Sequence, residues 1–126
     1  MNPVLDASAL LAYLHRERGW EAVRSIVAES CVGAVNWSEV AQKTTGNGLD
    51  VGRARSLLED VGLVIVPFTA KQAEMAAALW EQTNAHGLSL ADRACLALAL
   101  EFDAPAFTAD KAWGALNVNV DIRIVR

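Results

Sequence analysis

Four carboxylates stand where an α/β chain exposes its chemistry. Asp6 follows Val4-Leu5, the end of a short apolar run, and Glu39 lies in "VNWSEV", just past a second such run. Asp92 lies in "LSLADRACLALA", three residues after Ser89, and Asp110 lies in "FTAD", immediately after a further apolar run. Each admits a local explanation. Glu39 and Asp92 suit the first turn of a helix, where an acid complements the dipole and closes a capping box on Asn36 or Ser89. Asp6 and Asp110 suit a turn, where Asp bonds its own backbone. The local explanations give no reason for all four to fall at strand ends or adjoining helix starts, the edge on which open α/β sheets collect ligands.

Gathering four acids on that edge is costly. Two like charges about 4 Å apart repel by roughly 4 kcal/mol at an effective dielectric near 20, so the cluster must take up protons or cations. Oxygen-only ligands select hard cations, Mg2+ or Mn2+. A cation held there makes a water acidic enough to act at neutral pH without a histidine base, and it offsets charge building on a phosphoryl oxygen. Phosphodiester hydrolysis is the reaction this chemistry favours.

The elements that must position the acids are readable from periodicity. Short runs rich in Val and Ile predict strands at residues 2–5, 31–35, 63–67, 104–107 and 122–125. Helical patterns occupy 7–18, 20–29 after Gly19, 36–45 from an Asx cap at Asn36, and 50–61 from a cap at Asp50. A long helix is expected over 69–86, with Thr69 as cap, Gln72 completing a capping box and Gly87 as a left-handed stop; another runs over 89–102 from Ser89. Strand and helix alternate nearly throughout, which predicts an α/β fold: a three-layer α/β/α sandwich with a mostly parallel central sheet of four to five short strands. Residues 1–126 are expected to form a single domain. Residues 44–52 are the loosest segment and lack the Gly-x4-Gly-Lys-Ser/Thr pattern of a phosphate-binding loop.

Composition narrows the function classes. Hydrophobic residues make up 53% and charged residues 21% of the chain, far from the disordered class, and the apolar surplus fits a partner interface. No run approaches the roughly 20 apolar residues that span a bilayer, and the amino end has no signal-peptide pattern, so a cytoplasmic protein without membrane contact is expected. Cys31 and Cys95 sit among apolar neighbours, as reduced, buried thiols do. A net charge of −4 lacks the basic footprint of a nucleic-acid binder. That objection weakens if the acids share one metal site, where divalent cations reverse the local sign.

"VLDASALLAYL", "NWSEV", "GLSLADRACLALAL" and "FTADKAW" follow one another in this order across essentially the whole chain. Together they resemble the four motifs of the PIN domain and, more narrowly, those of the single-domain VapC-type toxins of bacterial toxin–antitoxin pairs. The resemblance implies a PIN-like fold and metal-dependent ribonuclease activity on an RNA substrate. It implies that Asp6, Glu39, Asp92 and Asp110 are the acidic metal-binding and catalytic quartet. It also implies a lesser polar role for Thr108, two residues before Asp110, and for Ser8 beside Asp6. A homodimer, and a small antitoxin whose tail covers the acids, are further implications. Trp113 stands where the family commonly has Phe.

Several other residues have plain structural readings. His15 and His86, the only histidines, lie away from the acid motifs. The tryptophans Trp20, Trp37, Trp80 and Trp113 suit core or interface packing, although Trp37 is close enough to Glu39 to stack on a base. Arg93 and Lys111 each follow an acid and could touch substrate phosphates; a salt bridge or solvated stem explains Arg93 equally well. Arg16, Arg18, Arg53 and Arg55 form a diffuse basic rim or serve solubility. Two other function classes stay open. One is a Mg2+-dependent phosphoryl-transfer domain using Asp6 as acceptor, although no second Asp adjoins Asp6 and no isolated Lys ends a late strand. The other is a non-catalytic module whose acids bind basic partner side chains. An aspartic protease is excluded, since Asp6-Ala7-Ser8 lacks the turn glycine.

Overall fold

Strands of two or three residues cannot stand alone; they hold only where both faces are covered. The computed structural model, which describes residues 2–126, meets that requirement with five strands. They are β1 (Val4–Leu5), β2 (Cys31–Gly33), β3 (Val64–Val66), β4 (Ala106–Thr108) and β5 (Ile122–Ile124). They lie in the order β3-β2-β1-β4-β5, and every pairing is parallel. The sheet is thus wholly rather than mostly parallel.

Register sets the two faces. Val4 pairs with Cys31 and Ala106, while Leu5 pairs with Val32 and Phe107. Because successive side chains alternate across a strand, Leu5, Val32 and Phe107 pack on one face with Leu10, Val40 and Leu58. Val4, Cys31 and Ala106 pack on the other with Cys95, Leu96, Leu98 and Trp113. The first face is covered by α1 (Ala7–His15), α2 (Trp20–Arg24), α3 (Ala34–Gly46) and α4 (Val51–Val61). The second is covered chiefly by α7 (Leu90–Phe102), with α5 (Ala70–Ala78) packed beside it and α6 (Trp80–Thr83) following. The result is the expected three-layer sandwich. Both cysteines are buried and unpaired by any disulfide. No helix among the described residues is long and apolar enough to cross a membrane.

Four helix expectations are corrected. The pattern over 20–29 divides into α2 and a 3-10 turn at Val27–Glu29, where Ser25 Oγ donates to the Ala22 carbonyl at 2.7 Å and competes with the helical ladder. The long helix expected over 69–86 divides into α5, α6 and a 3-10 turn at Asn84–His86 before Gly87 stops the chain at φ +69°, and Thr83 Oγ1 donates to the Leu79 carbonyl at 2.8 Å beside the break. Thr69 caps α5 as expected by accepting from Gln72 N–H, but the Gln72 side chain donates to Glu101 Oε1 at 3.0 Å instead of closing a capping box. Finally, α3 begins two residues before Asn36, capped by the extended backbone of Gly33.

Helix α1 ends at His15, not Arg18, because Arg16 turns left-handed at φ +53°. Gly19 follows at φ +95°, and a Cβ there would lie 2.1 Å from the Val125 carbonyl oxygen. Only glycine lets the end of β5 approach this turn.

Candidate active site

Strand order places a crevice at the carboxyl ends of β1 and β4, where the connections leave the sheet on opposite faces. Asp6 leaves β1 there and Asp110 leaves β4. Glu39 arrives on α3, which follows β2, and Asp92 arrives on the first turn of α7. All four line one cleft of about 130 Å3, together with Ala7, Ser8, Leu11 and Lys43.

Asp6 is the buried member, 3% exposed. Its Oδ1 accepts from Ser8 Oγ and from the Ala9 amide, both at 2.8 Å, so it caps α1. Its Oδ2 accepts from Thr108 Oγ1 at 2.5 Å. Those two hydroxyls in turn accept backbone amides: Ser8 Oγ from Ala109 at 2.9 Å and Thr108 Oγ1 from Asp110 at 3.0 Å. The chain of bonds runs from the β4 loop through two hydroxyls to one carboxylate, so the position of Asp110 is tied to that of Asp6. Burial pushes Asp6 up to about 6, against the pull of the Thr108, Ala9 and Ser8 hydrogen bonds, with Asp92 adding repulsion.

Asp92 closes the capping box of α7, accepting from Ser89 N–H at 3.0 Å through Oδ2 while its own amide donates to Ser89 Oγ at 3.1 Å. The local explanation is therefore correct for this residue, and the cap holds the side chain at the cleft. Asp110 likewise caps the 3-10 turn Lys111–Ala115, with Oδ1 accepting from Ala112 N–H at 3.0 Å. Glu39 is different. It is the sixth residue of α3, past the first turn, so neither the dipole nor a capping box accounts for it. Burial and the charge of Asp92 raise its carboxyl above the ordinary value, and Lys43 pulls it down.

Asn36, expected as a cap, is buried, and its Nδ2 donates to the Ala91 carbonyl at 3.1 Å. That bond fastens α3 to the start of α7, holding Glu39 and Asp92 on the same cleft. Sequence reasoning also missed Lys43, although its i+4 spacing from Glu39 was the available signal. Arg93 does not reach the cleft; its Nη1 donates to the Ala76 carbonyl at 3.0 Å. His15 lines a neighbouring depression with Lys43 and Asn47. Trp113 is buried in the core on the α7 face, Trp37 packs partly buried against the core on the opposite face, and Trp20 lies under Arg16 and Arg24.

The donor set fits a hard divalent cation: carboxylate oxygens from four elements, with Asp6 and Glu39 raised first by burial and further by the charge of Asp92. Among the described residues no three His, Cys, Asp or Glu side chains form a ready-made ligand cluster. Burial pushes Cys31 up to about 11 and Cys95 well above its ordinary value, so neither offers a thiolate.

The PIN domain family model matches residues 4–118. No curated protein sequence matches the chain. In three dimensions the chain is similar to a toxin–antitoxin complex from Klebsiella pneumoniae, with a TM-score of 0.79 and 18% identity over 99% of this chain and 98% of that one. It is similar to VapC20 of Mycobacterium tuberculosis, described as a sarcin–ricin loop cleaving toxin, with a TM-score of 0.72 and 13% identity over 97% and 99% of the two chains. FitAcB from Neisseria gonorrhoeae aligns with a TM-score of 0.70 and 19% identity over 98% and 97%. At such identities these likenesses speak for the fold.

Proposed function

Since this chain belongs to the PIN domain family, we propose that its acid cleft is the active site of a Mg2+- or Mn2+-dependent endoribonuclease, the VapC-like toxin of a toxin–antitoxin pair. The observation that carries the reading is the convergence of Asp6, Glu39, Asp92 and Asp110, from four separate elements, on one cleft at the carboxyl edge of the sheet. When bound, a divalent cation supplies Lewis-acid charge to a phosphodiester and acidifies a water so that it attacks at neutral pH.

The protein's own residues do the rest. Asp6, Glu39, Asp92 and Asp110 would hold the cation, and Thr108 and Ser8 orient Asp6 and draw its carboxyl down by donating to both its oxygens. Asp110, fixed through the Thr108 hydroxyl, is an exposed carboxylate placed to orient the attacking water and take its proton. Lys43 offsets the acids on the α3 side. The alternative of Asp6 as phosphoryl acceptor is disfavoured by its burial and by the engagement of both its oxygens.

The proposal extends to one domain over residues 1–126, a cytoplasmic location, a homodimer and a small antitoxin. An apolar groove lined by Tyr13, Leu14, Trp20, Leu57, Leu58 and Val61 supports the last. Its rim carries Arg16 and Arg24, 5.1 and 4.9 Å from the Trp20 ring centre, and so favours an amphipathic acidic segment. Exposed Trp80 and Leu90 supply apolar surface for a second copy.

The purified chain should cut RNA when Mg2+ or Mn2+ is present and not in EDTA. Asp92→Asn and Asp110→Asn should each abolish cutting while circular dichroism stays native. Full activity in the double variant, or in EDTA, overturns the assignment. Mg2+ should also raise the melting temperature by mass action, which a non-catalytic module binding basic side chains does not predict.

A further inference from the structure

A second depression, of about 480 Å3, adjoins the acid cleft and shares Ser8 and Asp110 with it. Its remaining lining is Arg18, Ala109, Lys111 and Arg126. Three cations around one hollow are unexpected in a chain of net charge −4, and they come from three distant parts of the sequence. Two close approaches bring them together. The Gly19 turn admits the Val125 carbonyl, which seats Arg126 beside Arg18, and the Thr108 carbonyl accepts from Val125 N–H at 2.9 Å, which ties the same segment to the loop carrying Lys111. Arg126 is partly engaged by Glu17 at 3.6 Å, whereas Arg18 and Lys111 have no ion-pair partner among the described residues and are exposed.

We propose that this hollow is a phosphate-backbone subsite, holding the substrate strand next to the phosphodiester that lies in the acid cleft. The inference rests on the nuclease reading and assigns Arg18 and Lys111, with Arg126, as its binding residues. The chemistry is charge neutralisation without base readout, and the placement answers the objection that an acidic protein repels its polyanionic substrate: positive charge is local and adjoins the cleavage site. Arg18 belongs to this hollow, not to a diffuse rim shared with Arg53 and Arg55, which lie on α4.

The test measures binding of a fluorescein-labelled single-stranded RNA by anisotropy across a salt series with Mg2+ present, in the Asp92→Asn background that the nuclease reading makes silent. Adding Arg18→Ala and Lys111→Ala should weaken binding and flatten the slope of log K against log salt by about 1.4, since each single-strand phosphate contact contributes about 0.7. Adding Arg53→Ala and Arg55→Ala removes the same charge from α4 and should leave the slope unchanged. Equal losses in the two pairs, or no loss in either, overturn the subsite. Absence of any RNA binding overturns both the subsite and the nuclease reading. The expected pattern of slopes in a protein whose unmutated form never cuts RNA leaves the subsite standing and removes the nuclease reading alone.

Discussion

Replacing Asp6 by Asn should shift metal-free stability in the variant's favour by about 3 kcal/mol between pH 4 and pH 7. In the folded chain burial raises the carboxyl from its ordinary 3.8 to about 6. Between those values the folded state keeps a proton that the unfolded state has released, so wild-type stability falls as pH rises through the window. Below pH 3.8 the buried acid is neutral in both states and costs nothing. Above pH 6 it is ionised in both, and the folded state carries about 3 kcal/mol of cost, at about 1.36 kcal/mol per tenfold in proton affinity. Asn keeps an oxygen for Ser8 and Ala9 but presents an amide to Thr108, which offsets part of the gain at every pH without altering the pH dependence. Urea unfolding in EDTA at closely spaced pH values measures both proteins. The wild-type curve should descend relative to the variant's from pH 4 to 6 and then run parallel, and Mg2+ at pH 8 should stabilise wild type but not Asp6→Asn. Curves that stay parallel over the whole range refute the idea that Asp6 stores this cost.

The other expectations follow from single contacts around the same cleft. Thr108→Val removes the strongest hydrogen bond opposing the rise of Asp6, so the descending window should move to higher pH, with a loss of about 1.5–3 kcal/mol at pH 7.5 by urea unfolding that Thr108→Ser largely restores. Lys43→Met removes the charge that pulls Glu39 down, so the acid limb of the pH–rate profile should move to higher pH; an unmoved limb shows that Lys43 does not act on Glu39. Asn36→Ala breaks the link between α3 and α7. It should cost only about 1 kcal/mol by urea midpoint, yet slow metal-dependent cleavage about tenfold or more at saturating Mg2+, because Glu39 and Asp92 lose their common anchor.

Much of the architecture was legible before any coordinates. Alternating apolar runs and amphipathic stretches are local signals, and five parallel strands wrapped by helices are their lowest-cost burial, so the strands appear within a few residues of their expected places. The caps Asp50, Thr69 and Ser89 were legible for the same reason, since a cap is a contact between residues three apart. Where a local signal had two outcomes, reading failed: Asn36 has the composition of a cap, and only the packing of α7 against α3 turned it into a buried clamp.

That the four acids would meet in one cleft was readable, because each sits at a strand end or an adjoining helix and parallel topology sends those positions to one edge. Their individual states were not. That Asp6 is raised depends on its burial among remote segments, and the opposing pull comes from Ser8 and from Thr108, a hundred residues away in the chain, donating to the same carboxylate. The gathering of Arg18, Lys111 and Arg126 around one hollow depends on the Gly19 turn meeting Val125. Periodicity determines which faces are apolar, because burial is a sum over near neighbours. Proton affinity and local charge were decided by distances between remote segments, which only the folded chain supplies.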